Sequence, residues 1–141
     1  MYRSLGRASL LAVLAAAASA SPAPAQSRCQ APEDPGSWHS CLSASHNVTE
    51  DGVHLSKARA RLVVRHEDGC PQGADRRRVV IRTAGGRRLG KTTVRSSCRR
   101  GVARWNGTLE LDVDLREGTV VRSLWSGIPD SRTAPRVKLG G

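Results

Sequence analysis

The chain has 141 residues, a mass of 15.1 kDa and a formal net charge of +11, from 23 Lys and Arg against 12 Asp and Glu. That length fits one domain and excludes a large multidomain enzyme. Beyond residue 25 there is no Phe, Tyr or Met, so Trp38, Trp105 and Trp125 are the only large anchors and hydropathy is too low for a further membrane segment.

Residues 1–25 read as a cleaved secretory signal peptide. Arg3 and Arg7 precede an apolar stretch of about ten residues from Ser9 to Ala18, too short to span a bilayer. Two small-residue cleavage sites follow, Ala18-Ser19-Ala20 and Ala23-Pro24-Ala25. A lipid anchor would need a cysteine after a small residue, but Cys29 follows Arg28. Residues 26–37 read as an irregular lead-in, because Ala31-Pro32-Glu33-Asp34-Pro35-Gly36 is rich in turn formers. Residues 38–141 are expected to form the single β-domain of a secreted protein.

From there the apolar residues alternate. Ala58, Ala60, Leu62 and Val64 face one way and Arg59, Arg61, Val63 and Arg65 the other, the period of a half-buried strand. Arg78–Thr83 predicts a second strand and Arg88–Arg95 its partner across Gly85-Gly86, a tight-hairpin dipeptide. Asn106-Gly107 reads as a turn, in preference to a glycosylation sequon with Thr108, and leads Trp105 into the next strand. Leu109, Leu111, Val113 and Leu115 then alternate with Glu110, Asp112, Asp114 and Arg116. After Glu117-Gly118, Thr119–Trp125 is expected to return as the hairpin partner of that strand, and Arg136–Leu139 adds a short edge strand. Six to eight strands without a helix predict an all-β domain, a small antiparallel sandwich or barrel.

Cys29, Cys41, Cys70 and Cys98 allow three pairings. Cys29–Cys41 with Cys70–Cys98 is favoured, because each pair closes a segment that otherwise lacks apolar content. An even cysteine number suits an oxidising compartment. A zinc site is disfavoured, with no Cys-x-x-Cys and no histidine at ligand spacing.

Charge is concentrated between Asp75 and Arg104, which hold eleven Lys and Arg against one acid. Glu110, Asp112 and Asp114 are expected opposite Arg78, Arg82 or Arg122, but three acids cannot neutralise eleven bases. Arginine outnumbers lysine twenty to three, which a GC-rich coding sequence would also produce, so charge alone is discounted as a binding signal.

Gly85-Gly86-Arg87-Arg88-Leu89-Gly90-Lys91-Thr92 matches the phosphate-loop pattern, but a helix must begin at the lysine for that loop to cradle phosphate. The continuation Thr93-Val94-Arg95 is β-branched, so a hairpin is the better account and no nucleotide is expected. No Gly-x-Ser-x-Gly or His-Glu-x-x-His occurs. The sequence therefore assigns no catalytic residue, cofactor or metal.

The resulting expectation is a monomeric, non-enzymatic secreted module that binds anionic polymers, a cell-envelope polymer or a nucleic-acid backbone. The candidate residues are Arg76, Arg77, Arg78, Arg87, Arg88, Lys91, Arg99 and Arg100, since arginine's planar fork suits phosphate and carboxylate. One alternative is a protease inhibitor or protein-interaction module presenting the Cys70-anchored loop between Asp68 and Asp75. Another is a small nuclease using His39 or His46 with His66, and Arg82 or Lys91 as the cation.

Overall fold

A computed structural model describes residues 26–30, 38–72, 75–128 and 134–140. The leader at 1–25, the turn-rich 31–36 and residues 129–133 lie outside the described residues. The described residues form two antiparallel sheets and no helix. In chain order the strands are β1 (Gln26–Gln30), β2 (Trp38–Thr49), β3 (Gly52–Arg65), β4 (Arg76–Thr83), β5 (Arg88–Arg95), β6 (Ser97–Arg99), β7 (Val102–Leu115), β8 (Val120–Trp125) and β9 (Arg136–Lys138). The five-stranded sheet runs β1-β2-β3-β7-β6 and the four-stranded sheet β5-β4-β8-β9. Nine strands exceed the six to eight expected. Gln26–Gln30, read as part of an irregular lead-in, is an edge strand paired with β2, and Ser97–Arg99 is another short edge on β7.

The alternation of apolar residues places the core. Leu42 and Ala44 of β2, Ala58, Ala60 and Leu62 of β3, and Trp105 and Leu109 of β7 are buried on one sheet. Val79 and Ile81 of β4, Val121 and Trp125 of β8, and Val137 of β9 are buried on the other. All belong to a single cluster drawn from both sheets. Removing the Leu, Val and Ile side chains among these from water contributes roughly 1.5–3 kcal/mol each, and the alanines less, which offsets the ordering of a chain with few large residues.

Two glycines allow the sheets to approach. A Cβ on Gly107 would meet Val94 Cγ2 at 3.0 Å, and one on Gly90 would meet Leu111 Cδ2 at 2.6 Å. This corrects the reading of Asn106-Gly107 as a turn. Both residues lie inside β7, opposite Arg61 and Ala60 of β3, and the glycine serves packing instead of chain reversal.

Two further expectations change. β8 does not pair with β7: it leaves the five-stranded sheet and pairs with β4 and β9. Its inward Val121, Ser123 and Trp125 lie in register with Thr83, Ile81 and Val79, so its apolar face closes the second sheet. The acids of β7 also find other partners. Glu110 pairs with Lys57 at 3.3 Å, and Asp112 and Asp114 bracket His54, so none of them neutralises Arg78, Arg82 or Arg122. A register shift between Leu55 and Lys57 gives β7 one extra residue there, and Asp112 takes φ +47°. Asp is among the few residues that tolerate that region.

The disulfides are Cys29–Cys41 and Cys70–Cys98, the favoured pairing. The first links β1 to β2 at directly paired positions. The second ties the segment after β3 to β6.

Candidate anion-binding surface

The four strands of the smaller sheet contain ten Lys and Arg and no Asp or Glu. Strand alternation sorts them. On β4, Val79, Ile81 and Thr83 are buried, so Arg76, Arg78 and Arg82 fall on the opposite, outer face. The register then aligns residues that are distant in sequence. Arg88 of β5 lies opposite Arg82, Arg82 opposite Arg122 of β8, and Arg122 opposite Arg136 of β9. Directly paired residues project to one side, so four arginines form a row across all four strands. With neighbouring strands about 4.8 Å apart, the row spans roughly 14 Å. Arg76 opposite Arg95 forms a second charged pair, and Lys91 and Lys138 stand on the same face.

Like charges directly opposite one another destabilise a sheet. Arg88, Arg82 and Arg122 are therefore set in an arrangement that folding alone does not favour, and an anion laid along them would relieve the repulsion. Arg82 Nη1 donates to Gly86 O at 3.2 Å, which uses one of the five donors of its guanidinium. Arg122 Nε is buried and has no hydrogen-bond partner.

The expected residues divide among several places. Arg76, Arg78, Arg88 and Lys91 share this outer face, and Arg87 lies in the turn before β5. Arg77 points the other way. Its guanidinium lies 4.7 Å from the Trp105 ring centroid, donates to Ser126 O at 2.9 Å and pairs with Asp75 at 3.2 Å. Trp105 Nε1 donates to Asp75 O at 3.1 Å, so Arg77 is part of a structural corner. Arg99 and Arg100 belong to the other sheet, at the end of β6 and the turn into β7, beside Arg104.

Sequence reading missed Arg82, Arg95, Arg122, Arg136 and Lys138 as members of this face. For Arg82 and Arg95 the alternation of β4 and β5 carried the signal. Arg122 and Arg136 are isolated among apolar and small residues, and only sheet topology brings them to Arg82.

The phosphate-loop letters span the turn at Gly85–Arg87 and the first residues of β5, and no helix follows Lys91. The histidines do not converge. His46 is buried and its Nε2 accepts from Gly140 N–H at 3.2 Å, while His39 lies seven positions earlier on β2, on the opposite face. His66 follows β3, and Arg82 and Lys91 belong to the other sheet. The outer face of the five-stranded sheet is also positive near its β6 end: partial burial, then the charges of Arg61, Arg65 and Arg104, holds His39 below its ordinary value of 6.5. At the far end of β3, His54 is raised, chiefly by its hydrogen bond to Asp114. The segment from Asp68 to Cys70 is exposed and fastened through Cys70–Cys98.

Among the described residues no group of three or more His, Cys, Asp or Glu is placed to hold a metal, and no helix is long and apolar enough to cross a membrane. No protein-family model, curated protein or solved structure matches the chain.

Proposed function

We propose that this protein is an exported, monomeric, non-enzymatic binding module, a two-sheet sandwich that holds anionic polymers on the outer face of its four-stranded sheet. The observation that carries the reading is the row Arg88–Arg82–Arg122, in strands that contain no carboxylate. A line of cations about 4.8 Å apart suits a repeating anion better than a single small one. Bidentate guanidinium pairing with phosphate or carboxylate supplies the contact.

Export is supported by the leader-like N-terminus and by two disulfides, which persist outside the reducing cytosol. Recognition runs through backbone charge and not through base stacking. Trp105 and Trp125 are buried in the core, Trp38 is half-buried on the other sheet, and no strand of the basic sheet puts an aromatic ring on its outer face.

The test is binding of the oxidised protein to duplex DNA and to a polyglycerol-phosphate polymer of teichoic-acid type, each at about 50 and 200 mM salt. Saturable, salt-sensitive binding is expected, and the tighter ligand identifies the polymer class. Weak binding to both at low salt would overturn the reading.

A further inference from the structure

The Cys29–Cys41 disulfide lies on the outer face of the five-stranded sheet, apart from the basic surface. Cys29 of β1 stands opposite Cys41 of β2, Cys41 opposite Arg61 of β3, and Arg61 opposite Asn106 of β7. Directly paired residues project to one side, so both cysteines and the arginine share one row. The next row sets Ser43 opposite Arg59, and Arg59 opposite Thr108. A groove of about 430 Å³ runs over both rows, lined by Cys29, Cys41, Arg59 and Arg61 together.

The two ends of this bond differ. Cys29 is exposed, whereas Cys41 is only 8 % exposed. An external thiolate therefore meets Cys29 first, and Cys41 becomes the leaving group. That leaving group has a cation beside it, since Cys41 and Asn106 are the register partners of Arg61 and neither is an acid. Arginine next to a cysteine favours its thiolate, and a more stable thiolate departs faster in exchange. The other disulfide has a different setting. Cys98 lies opposite the buried Ala103 and packs against the core cluster, so it is turned inward.

We propose that Cys29–Cys41 is an exchange-active disulfide that accepts a small external thiol in this groove. The thiolate sulfur bonds to Cys29 Sγ as the bond between the two Sγ atoms breaks, and the electron pair of that bond leaves on Cys41. The products are a mixed disulfide at Cys29 and a Cys41 thiolate beside Arg61, with no net oxidation or reduction. Return attack by Cys41 on Cys29 Sγ expels the thiol and restores the tie between β1 and β2. This site belongs to the larger sheet and stands apart from the polymer reading.

The experiment treats the folded, oxidised protein with 2-mercaptoethanol, a neutral thiol, and follows it by acid quench, alkylation and peptide mass spectrometry. The adduct is expected on Cys29 with Cys41 free, formed about tenfold or more faster than any opening of Cys70–Cys98. Arg61→Gln slows the step by about threefold or more. Arg104→Gln, on the same face but opposite Val63 and Ser97, leaves it unchanged. In a Cys29→Ser background, Arg61→Gln also moves the pH profile of Cys41 alkylation to higher pH, which a purely structural arginine would not do. Equal opening of the two disulfides, or an adduct on Cys41, overturns the assignment. So does a rate or a pH profile that Arg61→Gln leaves untouched in folded protein, or a rate that Arg104→Gln slows as much.

Discussion

Arg82 of β4 stands directly opposite Arg122 of β8, two like charges held in register at the centre of a four-stranded sheet. A directly opposed like-charge pair weakens a sheet by roughly 0.2–1 kcal/mol. Arg82→Thr is therefore expected to leave thermal stability unchanged or raise it slightly, while polymer affinity falls. Paired thermal melts and binding isotherms measure both quantities. A variant that loses stability and retains affinity would show that Arg82 serves the fold.

His54 and His39 report on opposite ends of the larger sheet. Asp114 Oδ1 lies 2.7 Å from His54 Nδ1 and Asp112 Oδ1 lies 2.9 Å from Nε2, so the imidazolium is favoured and the pKa is raised. Stability from this cluster is fully present below the ordinary histidine value of about 6.5 and is lost as pH rises through the folded pKa. Titration followed by NMR places His54 above 6.5 in the native chain, and Asp114→Asn lowers it. An unshifted His54 would contradict the cluster.

His39 is shifted the other way, by partial burial and then by Arg61, Arg65 and Arg104. The stability linked to it is full above about 6.5 and declines as pH falls toward the folded pKa. Because these arginines lie on the five-stranded sheet, saturation with polymer is expected to leave the His39 pKa where it is. A rise on binding would move the contact surface to that sheet.

The two disulfides differ in the chain they close. Cys29–Cys41 spans 12 residues and Cys70–Cys98 spans 28. Restriction of the unfolded chain then favours the longer loop, with about 3 kcal/mol for the first and about 3.5 kcal/mol for the second. Denaturant unfolding of the two double Cys→Ser variants tests the order. A larger loss at Cys29–Cys41 would show that anchoring β1 outweighs loop closure.

Gly107→Ala places a methyl 3.0 Å from Val94 Cγ2, and a β-branched valine has little freedom to yield. A loss of about 1–3 kcal/mol is expected. Gly85→Ala, whose Cβ would meet only Thr83 Oγ1 at 3.8 Å, is expected to change stability by less than about 0.5 kcal/mol. Equal effects at the two positions would mean that Gly107 does not set the spacing between sheets.

The sequence made strands legible where a polar face and an apolar face alternate without interruption, as in Ala58–Val64 and Leu109–Leu115. It failed at β2, whose inward positions Ser40, Leu42, Ala44 and His46 include two polar residues. Asn106-Gly107 misled because turn formation and close packing both select glycine, and only the approach of Val94 separates the two uses. Local adjacency suggested a β7–β8 hairpin, but the apolar face of β8 is used in the second sheet. The candidate surface was legible in half for the same reason. Arg76, Arg78 and Arg88 stand out as a basic run, whereas Arg122 joins them only through long-range register, and Arg77 leaves them because strand alternation turns it toward Trp105.

The most direct test of the account is the salt dependence of polymer binding in three proteins: wild type, the row variant Arg82→Ser/Arg88→Ser/Arg122→Ser, and the control Arg99→Ser/Arg100→Ser from the other sheet. Each lost phosphate contact lowers the slope of log affinity against log salt by roughly 0.7–0.9. The account predicts a slope reduced by about two or more in the row variant, with lower affinity at every salt concentration, and a control close to wild type. A row variant that keeps the wild-type slope, or a control that loses as much, would contradict the assignment of binding to this face.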